Sequence, residues 1–200
     1  MTITERFARD GYAVLRGLVC SRTLESLRKQ TLQYASRAKS RGEADPVVPK
    51  SVGVGGNPLM ERLLDKLRPR LETLIGRRLY PTYAYFRVYN HGASLARHTD
   101  RPACEISLSL CIGYEGNENW PLYVEGPQGV FAARLEPGDG LLYRGIDCPH
   151  WRECLTGQWA SQVFLHYVDR DGPHKALRFD KRSRVLRWLV GLRAWRPWQL

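Results

Sequence analysis

RHTDRPACEISLSLCIGY, residues Arg97–Tyr114, joins two signals in one stretch. Its second half alternates apolar Ile106, Leu108 and Leu110 with Ser107 and Ser109, the period of two expected of a strand whose faces meet different surroundings. The alternation alone leaves open whether the serines or the apolar residues line a cavity. Its first half sets His98 and Asp100 two residues apart, so in an extended chain both side chains point the same way and can share one ion. CPHWRE offers a third ligand: His150 follows the predicted strand GLLYRG, itself preceded by a turn at Gly138 and Asp139. Two imidazoles and a carboxylate on one face of a metal leave positions open, which suits nonhaem Fe(II) that must take up a cosubstrate and dioxygen together. The same three residues can hold zinc, but a structural zinc site is closed by four protein ligands, often thiolates.

Around this stretch the chain changes texture. FARDGYAVLRGLVC reads as a helix end, a DG turn and a strand with Tyr12, Val14 and Leu18. SRTLESLRKQTLQYASRAKSR predicts a helix with Ser21 as its N-cap and Leu24, Leu27 and Tyr34 on one face. GEADPVVPKSVGVGGN, from Gly42 to Asn57, is rich in Gly and Pro and reads as a loop, with Val52 to Asn57 as a lid. PLMERLLDKLRPRLETLIG predicts a second helix stopped at Gly76. From Tyr80 to Val168 the segments YAYFRVY, EISLSLCIGY, PLYVE, GVFAARL, GLLYRG and QVFLHYV read as strands. Helices first and strands second predict an α+β, mainly β fold: a sandwich or barrel backed by helices rather than an alternating parallel sheet. The expected organisation is one domain over 1–180, with 1–79 as helical support and 80–169 as the β core. The tail, 181–200, reads as a basic amphipathic helix with Val185, Trp188, Leu189 and Leu192 on one face, either docking on the body or touching a membrane surface.

Composition narrows the partners. With 200 residues and 43% hydrophobic content the chain can bury one sizeable core. Its net charge of +11 favours acidic partners, but the basic residues are spread along the chain and no nucleic-acid-binding motif is visible, which argues against nucleic acid. Five cysteines, odd in number and without CxxC spacing, do not form a disulfide framework. The N-terminal MTITERFARDGY lacks an apolar core, and no stretch reaches the ~18 apolar residues of a membrane span, so the expected location is the cytoplasm.

With these motifs in order, the sequence resembles the Fe(II)- and 2-oxoglutarate-dependent dioxygenases, above all their prolyl-4-hydroxylase-like branch, up to Asp169. The resemblance rests on FARDGYAVLRGLV, YNHGASLARHTD, ISLSLCIGYEG, WPLYVEG, LEPGDGLLYRGIDCPHWRE and QVFLHYV. It implies a double-stranded β-helix, a cupin-like jelly roll, with iron held by His98, Asp100 and His150. It also implies 2-oxoglutarate as cosubstrate, dioxygen as oxidant and ascorbate as an accessory reductant. Because Asp100 is present, halogenating variants that vacate this position are disfavoured and hydroxylation is expected. Family members usually carry a cation for the distal carboxylate of 2-oxoglutarate about ten residues beyond the distal His, yet GQWASQVF contains none. Arg152 is the leading substitute, two residues past His150 on the same side of an extended chain. Arg144 and Arg87 come next, and Tyr89 matches a phenol that hydrogen-bonds the cosubstrate. His91, His166 and His174 read as ordinary, and Trp151 as packing or as a wall of the iron pocket.

The expected activity is hydroxylation or related oxidation of a small metabolite or amino-acid-like substrate, with release of succinate and carbon dioxide. Oxidation of a peptide or protein side chain is the second reading. A third is a non-catalytic barrel that works as a binding module through its basic tail. The related cupin isomerases are a further rival, with a different histidine-rich ligand spacing.

Overall fold

The computed structural model describes residues 2–45, 47–116 and 120–181. The tail helix expected over 181–200 therefore falls almost wholly outside the described residues. Helix α1 (Ile3–Asp10) opens with a reciprocal cap between Thr2 and Glu5 and ends at Gly11, whose φ of 80° turns the chain into β1 (Tyr12–Leu15). Helix α2 (Ser21–Ser40) starts one residue earlier than its sequence signal suggested. Cys20 holds the N-cap position without a side-chain bond, and Ser21 is already helical. Helix α3 (Pro58–Ile75) stops where the sequence predicts, at Gly76 with φ 66°, and its start is capped by Asn57, whose Oδ1 accepts from the backbone N–H groups of Leu59 and Met60. No helix among the described residues is long and apolar enough to cross a membrane.

The strands form two antiparallel sheets. The larger contains β1, β2 (Ser51–Gly55), β3 (Leu79–Asn90), β5 (Ile106–Glu115), β8 (Gly140–Arg144) and β10 (Trp159–Asp169), in the order β1-β8-β5-β10-β3-β2. The smaller contains β4 (Leu95–His98), β6 (Leu122–Gly126), β7 (Gly129–Ala133) and β9 (His150–Arg152), in the order β4-β9-β6-β7. After β3 the chain thus alternates between the sheets, apart from the β6–β7 hairpin within the smaller one, which is the path of a double-stranded β-helix.

Burial settles which side of β5 faces where. Ile106, Leu108, Leu110 and Ile112 join Ala84, Phe86, Val163, Leu165 and Tyr167 in a core with Met60, Leu64, Leu67 and Leu71 of α3. Ser107, Ser109 and Cys111 therefore face the space between the sheets, beside Tyr143, Phe164, His166 and Gln162 on the neighbouring strands. The helices cover the outer face of the large sheet, so its polar residues are free to line the interior.

One expectation is corrected here. Residues 51–55, read as loop and lid, form the edge strand β2, with Gly53 opposite Arg87 of β3. A Cβ on Gly53 would collide with the Tyr85 phenol. The glycines that suggested a loop serve close approach within a sheet.

Candidate metal centre

His98 ends β4 and His150 begins β9, and the two are register partners across the small sheet. Their rings lie 4.3 Å apart by centroid. Asp100 follows β4, where its backbone N–H donates to the Gly145 carbonyl at 2.8 Å. One ligand atom from each residue lies within 4.8 Å of the others, so the sequence-predicted triad is brought together.

Hydrogen bonds aim the ligands. His98 Nδ1 is 2.8 Å from the Ala96 carbonyl oxygen and His150 Nδ1 is 3.0 Å from that of Cys148. A carbonyl only accepts, so each Nδ1 carries the proton and each Nε2 presents a lone pair. Those Nε2 atoms stand 4.0 and 3.7 Å from Asp100 Oδ1. Two lone pairs and a carboxylate facing one point repel one another until a cation joins them, and this donor set fits Fe(II). The His98 side chain is 39% exposed and that of His150 only 3%, so the first forms the rim and the second the floor. Burial lowers the pKa of His150 to about 4 and raises that of Asp100 above the usual carboxylate value.

Behind Asp100 stands a layer the sequence did not announce. Ser107 Oγ donates to Asp100 Oδ2 at 2.9 Å and lies 2.9 Å from His166 Nδ1. A hydroxyl has one proton; with that proton given to the carboxylate, Oγ accepts from the His166 Nδ1–H. His166 is buried, which lowers its pKa to about 4 and keeps it neutral. It thus orients a metal ligand, a role beyond the ordinary strand histidine expected. Cys104 joins Asp100 and His166 in a second group close enough to share an ion, with burial pushing the thiol up to about 12. Gly145 completes the fit: a Cβ there would strike the Cys104 carbonyl oxygen and Asp100 Oδ2.

Deeper between the sheets lies Arg152, only 2% exposed. Its Nη1 donates to the Trp120 carbonyl at 2.8 Å and its guanidinium carbon sits 4.7 Å from the Trp120 ring centroid. Nε and Nη2 are buried with no hydrogen-bond partner among the described residues, as are Tyr89 Oη, Ser109 Oγ and Gln162 Oε1. Such groups are costly to leave unpaired, so their shared place between the sheets marks a site for a polar, acidic ligand. Burial lowers the Arg152 pKa, a penalty that an incoming carboxylate relieves.

The remaining arginines separate clearly. Arg87 also faces inward but is held by Asp45 at 2.9 Å; burial would lower its pKa, yet the phenols of Tyr89 and Tyr85 and the Asp45 carboxylate keep it raised. Arg144 is not brought to the site. Its guanidinium lies over the Phe7 ring at 5.6 Å and donates to the Ala8 carbonyl, because alternation along β8 turns Tyr143 inward and Arg144 away. Trp151 does not wall the pocket either: it stacks on Tyr123 at 5.5 Å, facing away from His150 and Arg152. Trp120, packed edge-on to Tyr89, lies beside Arg152 at the deep end instead. His91 bonds to loop carbonyls at Thr156 and Gly157, away from the triad.

No protein-family model and no curated sequence matches the chain. Its similarity to known proteins is structural. The non-heme α-ketoglutarate-dependent epimerase SnoN from nogalamycin biosynthesis aligns with a TM-score of 0.67 and 14% identity over 84% of this chain and 79% of its own. HygX from Streptomyces hygroscopicus, solved with nickel, 2-oxoglutarate and hygromycin B bound, gives 0.67 and 14% over 84% of this chain and 86% of its own. A prolyl-4-hydroxylase from Pseudomonas putida gives 0.64 and 16% over 84% of this chain and 97% of its own. By its strand path and these likenesses, the chain has the double-stranded β-helix fold of the Fe(II)- and 2-oxoglutarate-dependent oxygenases.

Proposed function

We propose that this protein is an Fe(II)- and 2-oxoglutarate-dependent oxygenase that hydroxylates, or otherwise oxidises, a small metabolite or amino-acid-like substrate. The observation that carries the reading is Arg152, a buried cation on the same short strand as His150 with two nitrogens unpartnered among the described residues. Two residues along a strand span about 7 Å, a reach suited to a five-carbon dicarboxylate held at one end by a metal and at the other by a guanidinium.

In this reading His98, Asp100 and His150 hold the iron. Arg152 takes the distal carboxylate of 2-oxoglutarate, with Tyr89, Ser109 and Gln162 supplying further polar contacts. When bound, iron and 2-oxoglutarate supply the oxidising power by reducing dioxygen as the oxo acid is decarboxylated to succinate. The chain supplies orientation: the Ala96 and Cys148 carbonyls fix the imidazoles, and Ser107 with His166 fixes the carboxylate. Apolar Val48, Ala93, Leu155 and Ala160, with Tyr89 and Trp120, form the core around the Arg152 end and exclude water there.

Small-molecule substrates are favoured because HygX was solved with hygromycin B and SnoN belongs to nogalamycin biosynthesis. The prolyl-4-hydroxylase likeness supports oxidation of a peptide or protein side chain as the second reading. Anaerobic titration with Fe(II) and 2-oxoglutarate should produce a weak visible charge-transfer band, and air should then yield succinate. Absence of both the band and succinate would refute the assignment.

A further inference from the structure

At the end of the large sheet where β3 begins and β10 ends, a cavity of about 580 Å³ is lined by Arg78, Tyr80, Arg170, Asp171, Lys175 and Arg178. The guanidinium carbons of Arg170 and Arg178 lie 5.3 and 5.6 Å from the Tyr80 ring centroid. Asp171 is the one carboxylate of the lining and is engaged by Arg78 at 3.2 Å. Arg170, Lys175 and Arg178 have no acidic partner among the described residues. Residues 181–200 contain no Asp or Glu side chain. These cations stand on fixed backbone: the Arg170 N–H donates to the Arg78 carbonyl at 2.8 Å, and the Phe179 N–H to the Pro81 carbonyl at 2.8 Å.

We propose that this pocket is a binding site for a phosphate ester. Arg170, Lys175 and Arg178 are exposed and each is solvated, but their shared lining concentrates positive charge where a phosphate, with nearly two charges and three acceptor oxygens, can engage several donors together. A carboxylate would satisfy one guanidinium fork and leave the others uncompensated. The cavity exceeds the phosphate itself, and the half-buried Tyr80 ring gives the organic part of the ester a surface to rest on. The pocket shares no residue with the metal centre, so the two assignments stand or fall separately.

The test is calorimetric titration of the full-length protein at low ionic strength with inorganic phosphate and with phenyl phosphate, alongside sedimentation with phosphatidylcholine vesicles with and without phosphatidic acid. The expected result is saturable binding of the soluble phosphates, tighter for the phenyl ester. Binding should fall about tenfold or more in Arg170→Gln and Arg178→Gln and stay unchanged in Arg22→Gln on the exposed side of α2. Vesicle binding that needs phosphatidic acid and the same two arginines would support the site with a lipid headgroup as its source. No saturable binding of any probe, or binding indifferent to Arg170 and Arg178, overturns the proposal. Arg170→Lys and Arg178→Lys keep the charge without the guanidinium fork, so they give intermediate affinity on an intact fold, which thermal unfolding checks.

Discussion

The two ends of the space between the sheets treat their polar atoms in opposite ways. At the metal end each group has a protein partner that fixes its direction: Ala96 for His98, Cys148 for His150, Ser107 for Asp100. At the deep end Arg152, Tyr89, Ser109 and Gln162 carry buried atoms without partners among the described residues. The first arrangement suits an ion, and the second suits a polar ligand that would complete it. A metal demands a rigid donor geometry, whereas an exchangeable dicarboxylate needs donors kept free to receive it.

The sharpest way to break this contrast is to remove a ligand. Asp100→Ala should weaken Fe(II) binding by more than about 100-fold, the upper end for losing a mere supporting contact, and abolish succinate formation. Metal titration and coupled turnover read both. At the other end, Arg152→Met should lower 2-oxoglutarate affinity by about 100-fold or more while metal affinity stays within about threefold of the original. The same variant should unfold a few degrees higher without 2-oxoglutarate, because it removes a buried charge with unmade hydrogen bonds. Lower stability together with unchanged 2-oxoglutarate affinity would show that Arg152 is structural.

Smaller effects sharpen the metal end. Ser107→Ala should weaken metal binding by about tenfold and leave 2-oxoglutarate affinity of the metal-loaded protein nearly intact. Acidity gives the mildest test. His150 and His166 have folded pKa values near 4, below the ordinary 6.5, so between these values the unfolded chain binds more protons. The metal-free protein should therefore keep their contribution above about pH 6.5 and lose it towards pH 4, on the order of 3 kcal/mol per histidine, partly offset by the raised pKa of Asp100. Urea unfolding across that range, with a chelator present, measures the slope.

Much of the fold was legible because it rests on local signals. Asn57 and Gly76 bracket α3, Gly11 turns α1 into β1, and the alternation in Ile106–Leu110 marks β5. The missed strands fail for identifiable reasons. Glycine breaks a pattern whether it serves a loop or, as in β2, a close approach to Tyr85. Strands β4 and β9 span four and three residues, too short to show a period.

The triad itself was readable since HxD spacing and a later His are properties of the chain. What spacing could not decide was direction. Whether Ser107 or Leu108 faced the cavity, whether Arg152 or Arg144 served it, and whether His166 supported Asp100 all depend on which sheet face the helices cover. That choice is made by long-range burial of α3 against Ile106, Leu108, Leu110, Val163 and Leu165. The sequence determined the triad and the stretch, Arg97–Tyr114, that carries two of its members; only the packing of helices on one face decided which of the remaining polar residues of that stretch would face inside.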